Sequence, residues 1–252
     1  MVILRRDSVK EYIQTKGEVT LDELQSIFKN CSAMTLRRDL IKLEEEGFIK
    51  RTRGGAIAIS RTNGMEGIYS LRATQNIQKK VEIANKALNY IDGGRSIYLD
   101  SGTTLMCLAK SLPDEHCPIM TSGVNIALEL VKNPKYNVTL LGGTVNQNTL
   151  SVSGNLAINY VESVNIDIAI MGASGFLLET GFTSGTYTEN ELKKTVIAKA
   201  MKTIMLMDSS KFNRIMPLTF ATLGDIDILV TDTDPGSEIK QKCKEYNIEL
   251  VF

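Results

Sequence analysis

From about residue 96 onward the chain repeats one pattern, a short apolar run followed by a segment with helical periodicity. Each apolar run has the length of a buried strand. The runs cover 96–99, 117–120, 138–141, 166–171, 203–207 and 226–230. The helical patterns cover about 76–90, 104–112, 124–132, 155–163, 189–201 and 236–246. Because such alternation builds a mostly parallel sheet with helices on both faces, the sequence predicts an α/β domain here.

The first sixty residues have a different pattern, three short helices with one apolar stripe each. Gly17 fits the end of the first helix, and Thr20 with Glu23 forms a capping box that opens the second. Ser32 fits the cap of the third helix and Gly47 its end. The stripes are Val9, Tyr12 and Ile13, then Leu21, Leu24, Ile27 and Phe28, then Leu36, Leu40 and Leu43. Since only residues 28–31 separate the second helix from the third, the pattern predicts a helix-turn-helix.

The third helix has the features of one that reads DNA. With its leucines pointing inward, the opposite side near its N-terminus carries Met34, Thr35, Arg37 and Arg38. Recognition helices contact base edges from that end, and arginine offers a bidentate fork to guanine or phosphate. Ser32 adds a helix N-terminus for the DNA backbone. The alternative is a surface pairing of the two arginines with Asp39.

A basic hairpin is predicted directly after this helix. The segment FIKRTRGGAIAI alternates apolar and basic residues around Gly54 and Gly55, as a two-stranded wing would. Its tip carries Lys50, Arg51 and Arg53, which we expect to contact phosphates, although a merely solvated basic turn is the alternative. Residues 1–61, which include Arg61, contain 12 Lys and Arg against 9 Asp and Glu, while the whole chain has no net charge. This asymmetry favours a nucleic-acid contact in the N-terminal part.

Small and hydroxyl-bearing residues follow the predicted strands of the larger domain. Ligands of open parallel sheets bind at the carboxyl ends of the strands, and a Ser, Gly and Thr loop entering a helix offers N–H groups to an anion. The loops are 100–104, 121–123, 142–143, 172–175 and 208–211. We expect a phosphate at the first loop, Asp100, Ser101, Gly102, Thr103 and Thr104, with Thr121 and Ser122 in the second loop nearby. Any one loop could also be an ordinary strand-to-helix turn.

Two lysines could neutralise a bound phosphate. Lys211 follows a predicted strand, and Lys193 lies in the helix that starts near Glu189. Lys193 and Lys194 could equally be ordinary helix-surface residues.

Residues 35–56, TLRRDLIKLEEEGFIKRTRGGA, resemble the signature of the DeoR family of bacterial sugar-metabolism regulators. The elements RRDL, LEEEG and RGGA carry the resemblance, which continues through shorter motifs across nearly the whole chain. It implies that Thr35, Arg37 and Arg38 belong to a recognition helix. Arg53 replaces the His that is usual before the GGA of the wing, and the link FKNCS is longer than the family's usual turn.

The order DSGTT, TSG, LLGGTVNQNTLSVSG, IDIAIMGASGF, ENELKKTVIAKA and MDSSKF is similar to the DeoR C-terminal sensor. That resemblance implies a fold related to ribose-phosphate isomerases and coenzyme A transferases. It also implies a sugar-phosphate pocket lined by residues 100–104, Gly143, Gly172, Gly175, Glu189, Lys193 and Lys211. Ser122-Gly123 occupies the place where Asn and a small residue are common, and Lys79 stands where Glu usually precedes Lys80.

The function expected from these features is a DNA-binding transcription regulator, a repressor of carbohydrate genes controlled by a phosphorylated sugar. The alternative is a sugar-phosphate isomerase-like enzyme with an attached DNA-binding module, in which Asp100, Glu189 or Asp208 would be the general base. A purely structural nucleoid protein fits poorly, because it would not need the larger domain. We expect no catalytic residues.

The expected organisation is a winged helix-turn-helix domain at 1–57, a linker at 58–75 and an effector domain at 76–252. One recognition helix contacts few base pairs, so a homodimer or homotetramer is expected. The four cysteines form no CxxC pair, which argues against a metal, and no Walker A or GxGxxG motif implies a nucleotide cofactor. Without a membrane span or a signal peptide at MVILRRDSVKEY, the chain is expected in the cytoplasm.

Overall fold

A computed structural model of the chain describes residues 2–45, 48–58 and 68–252. The chain divides into two compact units, Met1–Leu71 and Arg72–Phe252. The helix end expected at Gly47, the basic residue Arg61 and half of the expected linker lie outside the described residues.

The first unit contains a helix-turn-helix followed by a wing, as predicted. Gly17 ends the first helix in a left-handed conformation (φ 87°), and its N–H donates to the Ile13 carbonyl at 2.7 Å. The Thr20 hydroxyl caps the second helix by accepting the Glu23 N–H at 3.2 Å. In chain order the elements are α1 (Val2–Lys16), β1 (Glu18–Thr20), α2 (Leu21–Ile27), α3 (Ala33–Glu45), β2 (Ile49–Arg51) and β3 (Gly55–Ala58).

Two details of this unit differ from the sequence-based expectation. The wing hairpin β2–β3 gains a third antiparallel strand, β1, which pairs with β3. Gly55 makes that pairing possible, because a Cβ there would lie 1.9 Å from the Val19 carbonyl oxygen. Ile27, which was predicted in the core, is 45% exposed because α2 ends at this residue. The core consists of Val9, Ile13, Val19, Leu24, Leu36, Leu40, Leu43, Ile49, Ala56 and Ala58.

The second unit is built on a seven-stranded parallel sheet, which confirms the α/β class. Its strands are β4 (Ile97–Leu99), β5 (Cys117–Thr121), β6 (Tyr136–Leu140), β9 (Ile166–Gly172), β12 (Ala200–Leu206), β14 (Ile228–Val230) and β15 (Glu249–Val251). The helices of residues 68–252 are α4 (Tyr69–Thr74), α5 (Ile77–Ala87), α6 (Thr103–Ala109), α7 (Val124–Leu130), α8 (Asn155–Glu162), α9 (Tyr187–Lys199) and α10 (Ser237–Glu245). The strand order is β15-β14-β12-β9-β4-β5-β6.

Several short elements of this unit were not predicted. Helix α4 lies within the range expected to be linker and spans the boundary between the two units. The hairpin β7 (Thr144–Asn146) and β8 (Ser151–Ser153) and the antiparallel sheet β10 (Gly175–Leu177), β11 (Gly181–Ser184) and β13 (Leu218–Ala221) accompany the main sheet.

Both faces of the large sheet are covered, as alternate side chains of β4 illustrate. Ile97 and Leu99 pack with α5, α6 and α7 on one face, and Tyr98 packs with α8 and α9 on the other. Within the described residues, none of the helices combines the length and the apolar character that a membrane crossing requires.

Candidate nucleic-acid interface and effector site

Helix α3 begins with a side-chain cap. The Ser32 hydroxyl accepts the Thr35 N–H at 3.2 Å, and the two hydroxyl oxygens lie 2.9 Å apart. Ser32 is exposed and Thr35 is half-buried. Both predicted contact residues therefore lie together at the end of the helix from which recognition helices contact DNA.

The exposed side of α3 carries the predicted arginines. Met34 is 60% exposed, and Arg37 and Arg38 are exposed as well. In the described part of the chain neither arginine takes part in a side-chain hydrogen bond or ion pair. Asp39 is buried and instead binds the Arg5 guanidinium of α1 in a bidentate pair, at 2.8 and 3.1 Å. The alternative in which Asp39 neutralises the two arginines is therefore wrong.

The wing exposes three basic side chains, which differ in whether an acidic residue binds them. The Thr52 N–H donates to the Gly55 carbonyl at 3.0 Å and closes the tip. Arg51 donates to the Glu44 carboxylate of α3 through its backbone N–H at 2.8 Å and its Nε at 2.5 Å. Lys50 and Arg53 have no ion pair among residues 2–45, 48–58 and 68–252. The charge of Arg51 is thus partly neutralised, while those of Lys50 and Arg53 are available to phosphates.

In the second unit the order in which successive strands are added to the sheet reverses between β4 and β9. The chain runs outward from β4 through β5 to β6, and then continues on the other side of β4 with β9 and β12. Such a switch point opens a crevice at the carboxyl ends of the two strands. The five loops predicted to form the site follow five adjacent strands, β12, β9, β4, β5 and β6. At about 4.8 Å between strands, the outermost loops are roughly 19 Å apart, so one small ligand cannot contact all five.

A buried ionic network lies at this switch point. The Lys193 ammonium donates to Asp100 Oδ2 and, at 3.0 Å, to the Gly172 carbonyl. The Gly172 N–H donates to the same Asp100 oxygen at 3.0 Å, and Glu189 Oε1 is 3.7 Å from the ammonium. The Lys193 and Asp100 side chains are 4% and 2% exposed. The network joins the loop after β4, the end of β9 and helix α9.

Lys193 is therefore an interior residue and not an ordinary surface lysine. Its neighbour Lys194 is the surface residue, 49% exposed and paired with Glu191 at 2.9 Å. Because the Lys193 ammonium contacts both Asp100 and Glu189, this lysine joins the loop after β4 to helix α9.

The phenol of Tyr98 lies beside the network. Burial raises its pKa well above the usual range, and the negative charge of Asp100 raises it further, with a smaller contribution from Glu189. Tyr98 therefore remains protonated and neutral next to the two carboxylates.

The predicted phosphate loop enters α6 through a glycine. Gly102 has φ 128°, a conformation that side chains rarely adopt, and its carbonyl accepts the Met106 N–H at 3.0 Å. The first N–H groups of α6 have no acceptor within the helix, as at any helix start. Ser101, Thr103 and Thr104 are 7%, 8% and 9% exposed. Substitutions of these threonines must consequently preserve volume.

The remaining predicted residues have clear packing roles. The Thr121 hydroxyl accepts the Gly123 N–H at 3.0 Å, and the Ser122 carbonyl accepts the Val152 N–H of β8 at 2.7 Å. A Cβ on Gly143 would lie 2.4 Å from the Ser153 carbonyl oxygen, and one on Gly175 would lie 2.5 Å from that of Arg214. Lys211 lies half-buried in the turn after β12. The structure thus joins Asp100, Gly172, Glu189 and Lys193 directly, and places the others around them on separate loops.

Sequence reasoning missed a group of hydroxyl residues near α9. The Ser153 hydroxyl lies 2.9 Å from that of Thr188, and the buried hydroxyls of Thr149 and Ser151 lie 2.7 Å apart. The run SVSG after a turn carried the signal, but only the pairing of β8 with β7 shows which residues face inward. No group of His, Cys, Asp and Glu within the described residues could hold a metal ion.

Family models match both units. The DeoR-like helix-turn-helix domain matches residues 5–62, and the DeoR C terminal sensor domain matches residues 75–233. The chain belongs to the DeoR family. It is a DNA-binding transcriptional regulator of that family.

Curated DeoR-type regulators match this DeoR protein over its full length. It is 31% identical to the HTH-type transcriptional regulator GolR of Listeria innocua, over 98% of this chain and 96% of GolR. It is 33% identical to the HTH-type transcriptional regulator IolR of Bacillus subtilis, over 99% of each. It is 27% identical to the glycerol-3-phosphate regulon repressor of Escherichia coli, over 98% and 97%.

Among solved structures, ribose 5-phosphate isomerase A of Methanocaldococcus jannaschii matches with a TM-score of 0.41 and 17% identity, over 55% of each chain. A match this partial adds no argument about activity.

Proposed function

We propose that this DeoR family regulator is a repressor of carbohydrate genes whose operator affinity changes when a phosphorylated sugar binds at the β4–β9 switch point. The observation that carries the proposal is the Asp100–Lys193–Gly172 network. It fixes the loop 100–104 against the end of β9, where open parallel sheets bind ligands.

The chemistry of the site supports a ligand with both an anionic and a hydroxyl-bearing part. The loop 100–104 offers the N–H groups at the start of α6 to a phosphate. Buried carboxylates at Asp100 and Glu189 are suited to holding sugar hydroxyls. The Escherichia coli relative is named a repressor of the glycerol-3-phosphate regulon, which supports a repressor role in the metabolism of small phosphorylated compounds.

On the DNA side, the exposed face of α3 would enter the major groove. Arg37 and Arg38 would read bases or phosphates, Met34 and Thr35 would lie against the groove, and Ser32 would approach the backbone. Lys50 and Arg53 would contact phosphates through the wing, with a smaller contribution from Arg51 because Glu44 binds it. Two recognition helices on a palindromic operator, supplied by a homodimer or homotetramer in the cytoplasm, complete the proposal.

We further propose that the protein is a regulator without enzymatic activity. An isomerase needs a carboxylate free to remove a proton from the substrate. Asp100 Oδ2 already accepts hydrogen bonds from the Lys193 ammonium and the Gly172 N–H. This engagement supports a binding role for Asp100 over that of a general base.

A thermal-shift experiment tests the effector. The purified chain is heated with glycerol 3-phosphate, ribose 5-phosphate, fructose 6-phosphate or glucose 6-phosphate, and with the unphosphorylated compounds and inorganic phosphate as controls. A ligand at about 100 times its Kd stabilises the protein by about 2.7 kcal/mol. We expect one of the phosphates to raise Tm by about 5 to 10 °C, at about 2 to 4 °C per kcal/mol.

Variants of the loop locate the binding site. Thr103→Val and Thr104→Val remove the hydroxyls while nearly preserving the buried volume, and Thr103→Ser and Thr104→Ser retain the hydroxyls as matched controls. We expect the valine variants to lose the ligand-induced shift and the serine variants to keep it. No shift with any sugar phosphate, or steady conversion of one into an isomer, would contradict the proposed function.

A further inference from the structure

The end of helix α4 is held by a lysine from the next helix. The Lys80 ammonium donates to the carbonyl of Arg72, in the last turn of α4, and at 2.7 Å to that of Gln75. The last carbonyls of a helix have no partner within it, so Lys80 acts as the cap. At six residues α4 is too short to be stable alone. The Lys80 cap therefore contributes to the stability of α4.

The position of α4 in the chain gives the cap its importance. The boundary between the two compact units falls after Leu71, within α4. Any change in α4 therefore acts on the segment through which the chain passes from the DNA-binding unit into the sensor.

Lys80 is buried, and a carboxylate from a loop distant in sequence affects its pKa. Lys80 is 3% exposed, and this burial lowers its pKa, while the negative charge of Asp208 opposes the shift. The thiol of Cys107 and the Arg72 guanidinium are the other ionisable groups that face it. Asp208 itself is 1% exposed. Of the groups that oppose this lowering of the Lys80 pKa, the largest is Asp208, which lies in the loop after β12.

The same loop also contacts Asn76, in the turn between α4 and α5, and Lys79, in the first turn of α5. Asn76, which has a left-handed backbone with φ 52°, donates from its side chain to Asp208 Oδ1 at 3.3 Å. Lys79 donates to the Ser209 hydroxyl at 2.7 Å and lies 3.0 Å from the Asp232 carboxylate. We call Asn76, Lys79 and Lys80, with Asp208, Ser209 and Asp232, the α4–α5 clamp.

The clamp reaches the edge of the sheet at which the effector is proposed to bind. Strand β12 lies next to β9, so the loop 208–211 follows the strand beside the one that ends at Gly172. Lys211, a predicted effector residue, belongs to this loop. A phosphate bound at this loop would lie in the same loop as Asp208 and Ser209, which contact Asn76 and Lys79.

We propose that the α4–α5 clamp couples the effector site to the DNA-binding unit: occupancy of the site changes the loop 208–211, and the clamp passes this change to the end of α4. This inference rests on the proposed function, because it requires an effector at the sheet edge. Asn76 and Lys79 are then positioning residues, which contact neither effector nor DNA.

A double variant, Asn76→Gly with Lys79→Met, tests the clamp. Glycine keeps the left-handed backbone and removes the amide, and Lys79 is 43% exposed, so both changes are compatible with folding. Lys86→Met is the matched control, since Lys86 lies on the same helix and pairs with Glu82 at 2.7 Å. A DNA fragment selected by the wild type from a random pool serves as operator, and the four phosphorylated compounds named above are the probes.

Three quantities separate a coupling role from a structural one. They are the operator Kd without sugar phosphate, the Kd of the most effective sugar phosphate without DNA, and the ratio of operator Kd values with and without it. We expect the double variant to keep the first two and to bring the ratio close to one, whereas coupled systems commonly have ratios of about 5 to 150. Lys86→Met should behave as wild type.

The outcomes distinguish this inference from the proposed function. If the double variant keeps the wild-type ratio, or loses effector affinity together with it, the clamp does not couple the sites and the inference is overturned alone. If the wild type responds to none of the four phosphorylated compounds, the proposed function fails and the inference fails with it.

Discussion

Removing the Lys193 ammonium should cost far more stability than removing its neighbour on the same helix. Lys193→Met leaves the Asp100 carboxylate buried without its ammonium partner. The hydrogen bond from the Gly172 N–H, at 3.0 Å, remains. Breaking a buried pair from one side costs about 3 to 5 kcal/mol, because the remaining charge is desolvated and uncompensated. At about 2 to 4 °C per kcal/mol, the Tm of the sensor unit should fall by about 6 to 20 °C.

Lys194→Met is the matched control for this prediction. It makes the same change one residue further along α9, at an exposed pair with Glu191. Exposed pairs contribute about 0 to 1 kcal/mol, so its Tm should change little. The assay is differential scanning calorimetry with urea unfolding of the same samples, so that the free energy of unfolding is measured twice.

A second substitution tests the cause of the loss. Asp100→Asn in the Lys193→Met background removes the unpaired charge and should recover part of the stability. If Lys193→Met proves no more destabilising than Lys194→Met, or if Asp100→Asn lowers the stability of Lys193→Met further, the buried network does not exist as described.

Three further predictions concern the DNA contacts and the pH dependence of the sensor's stability. Arg37→Ala or Arg38→Ala should weaken operator binding by about 1 to 3 kcal/mol wherever the arginine reads a base, and normal binding by both would contradict the orientation of α3. Arg53→Ala should weaken binding to all DNA sequences alike and reduce the salt slope of binding by about one unit. Arg51→Ala should have a smaller effect, and equal effects would show that Glu44 does not restrain Arg51. Burial raises the pKa of Asp232, but the hydrogen bonds from Ser209 and the Lys79 ammonium outweigh it and leave the pKa below normal. Because a depressed carboxyl pKa stabilises the fold above the unfolded value near 3.9, the stability advantage of wild type over Asp232→Asn should begin to decline below about pH 4 and be lost as pH falls through the lower folded pKa. Urea titrations from pH 7 to 3 measure it, and an advantage constant over that range would be the contrary result.

Periodicity predicted the main architecture because the strands and helices of the sensor bury whole apolar runs. All six predicted strands of the large sheet are present, and so are the helix-turn-helix and its wing. Strands β1 and β15 and the small antiparallel sheets were missed because strands of three or four residues give no measurable period.

The contacts of the site depended on information that periodicity lacks. Lys193 and Asp100 are 93 residues apart in sequence, and only the placement of β9 beside β4 brings them together. The sequence marked each of them as a candidate from its loop or helix, but it could not distinguish Lys193 from Lys194. Asn76 and Asp208 are 132 residues apart and illustrate the same limit. Asp208 was considered only as an alternative general base, and Asn76 was not selected as a site residue.

The reciprocal titration of operator and effector is the most direct test of regulated DNA binding. Fluorescence anisotropy of the selected operator gives the factor by which the most effective sugar phosphate changes operator affinity. Calorimetry gives the factor by which a saturating operator changes the affinity for that sugar phosphate. Linkage requires the two factors to be equal, and we predict the same value for both, clearly different from one. Two factors equal to one, measured with a sugar phosphate that does bind, would contradict the account.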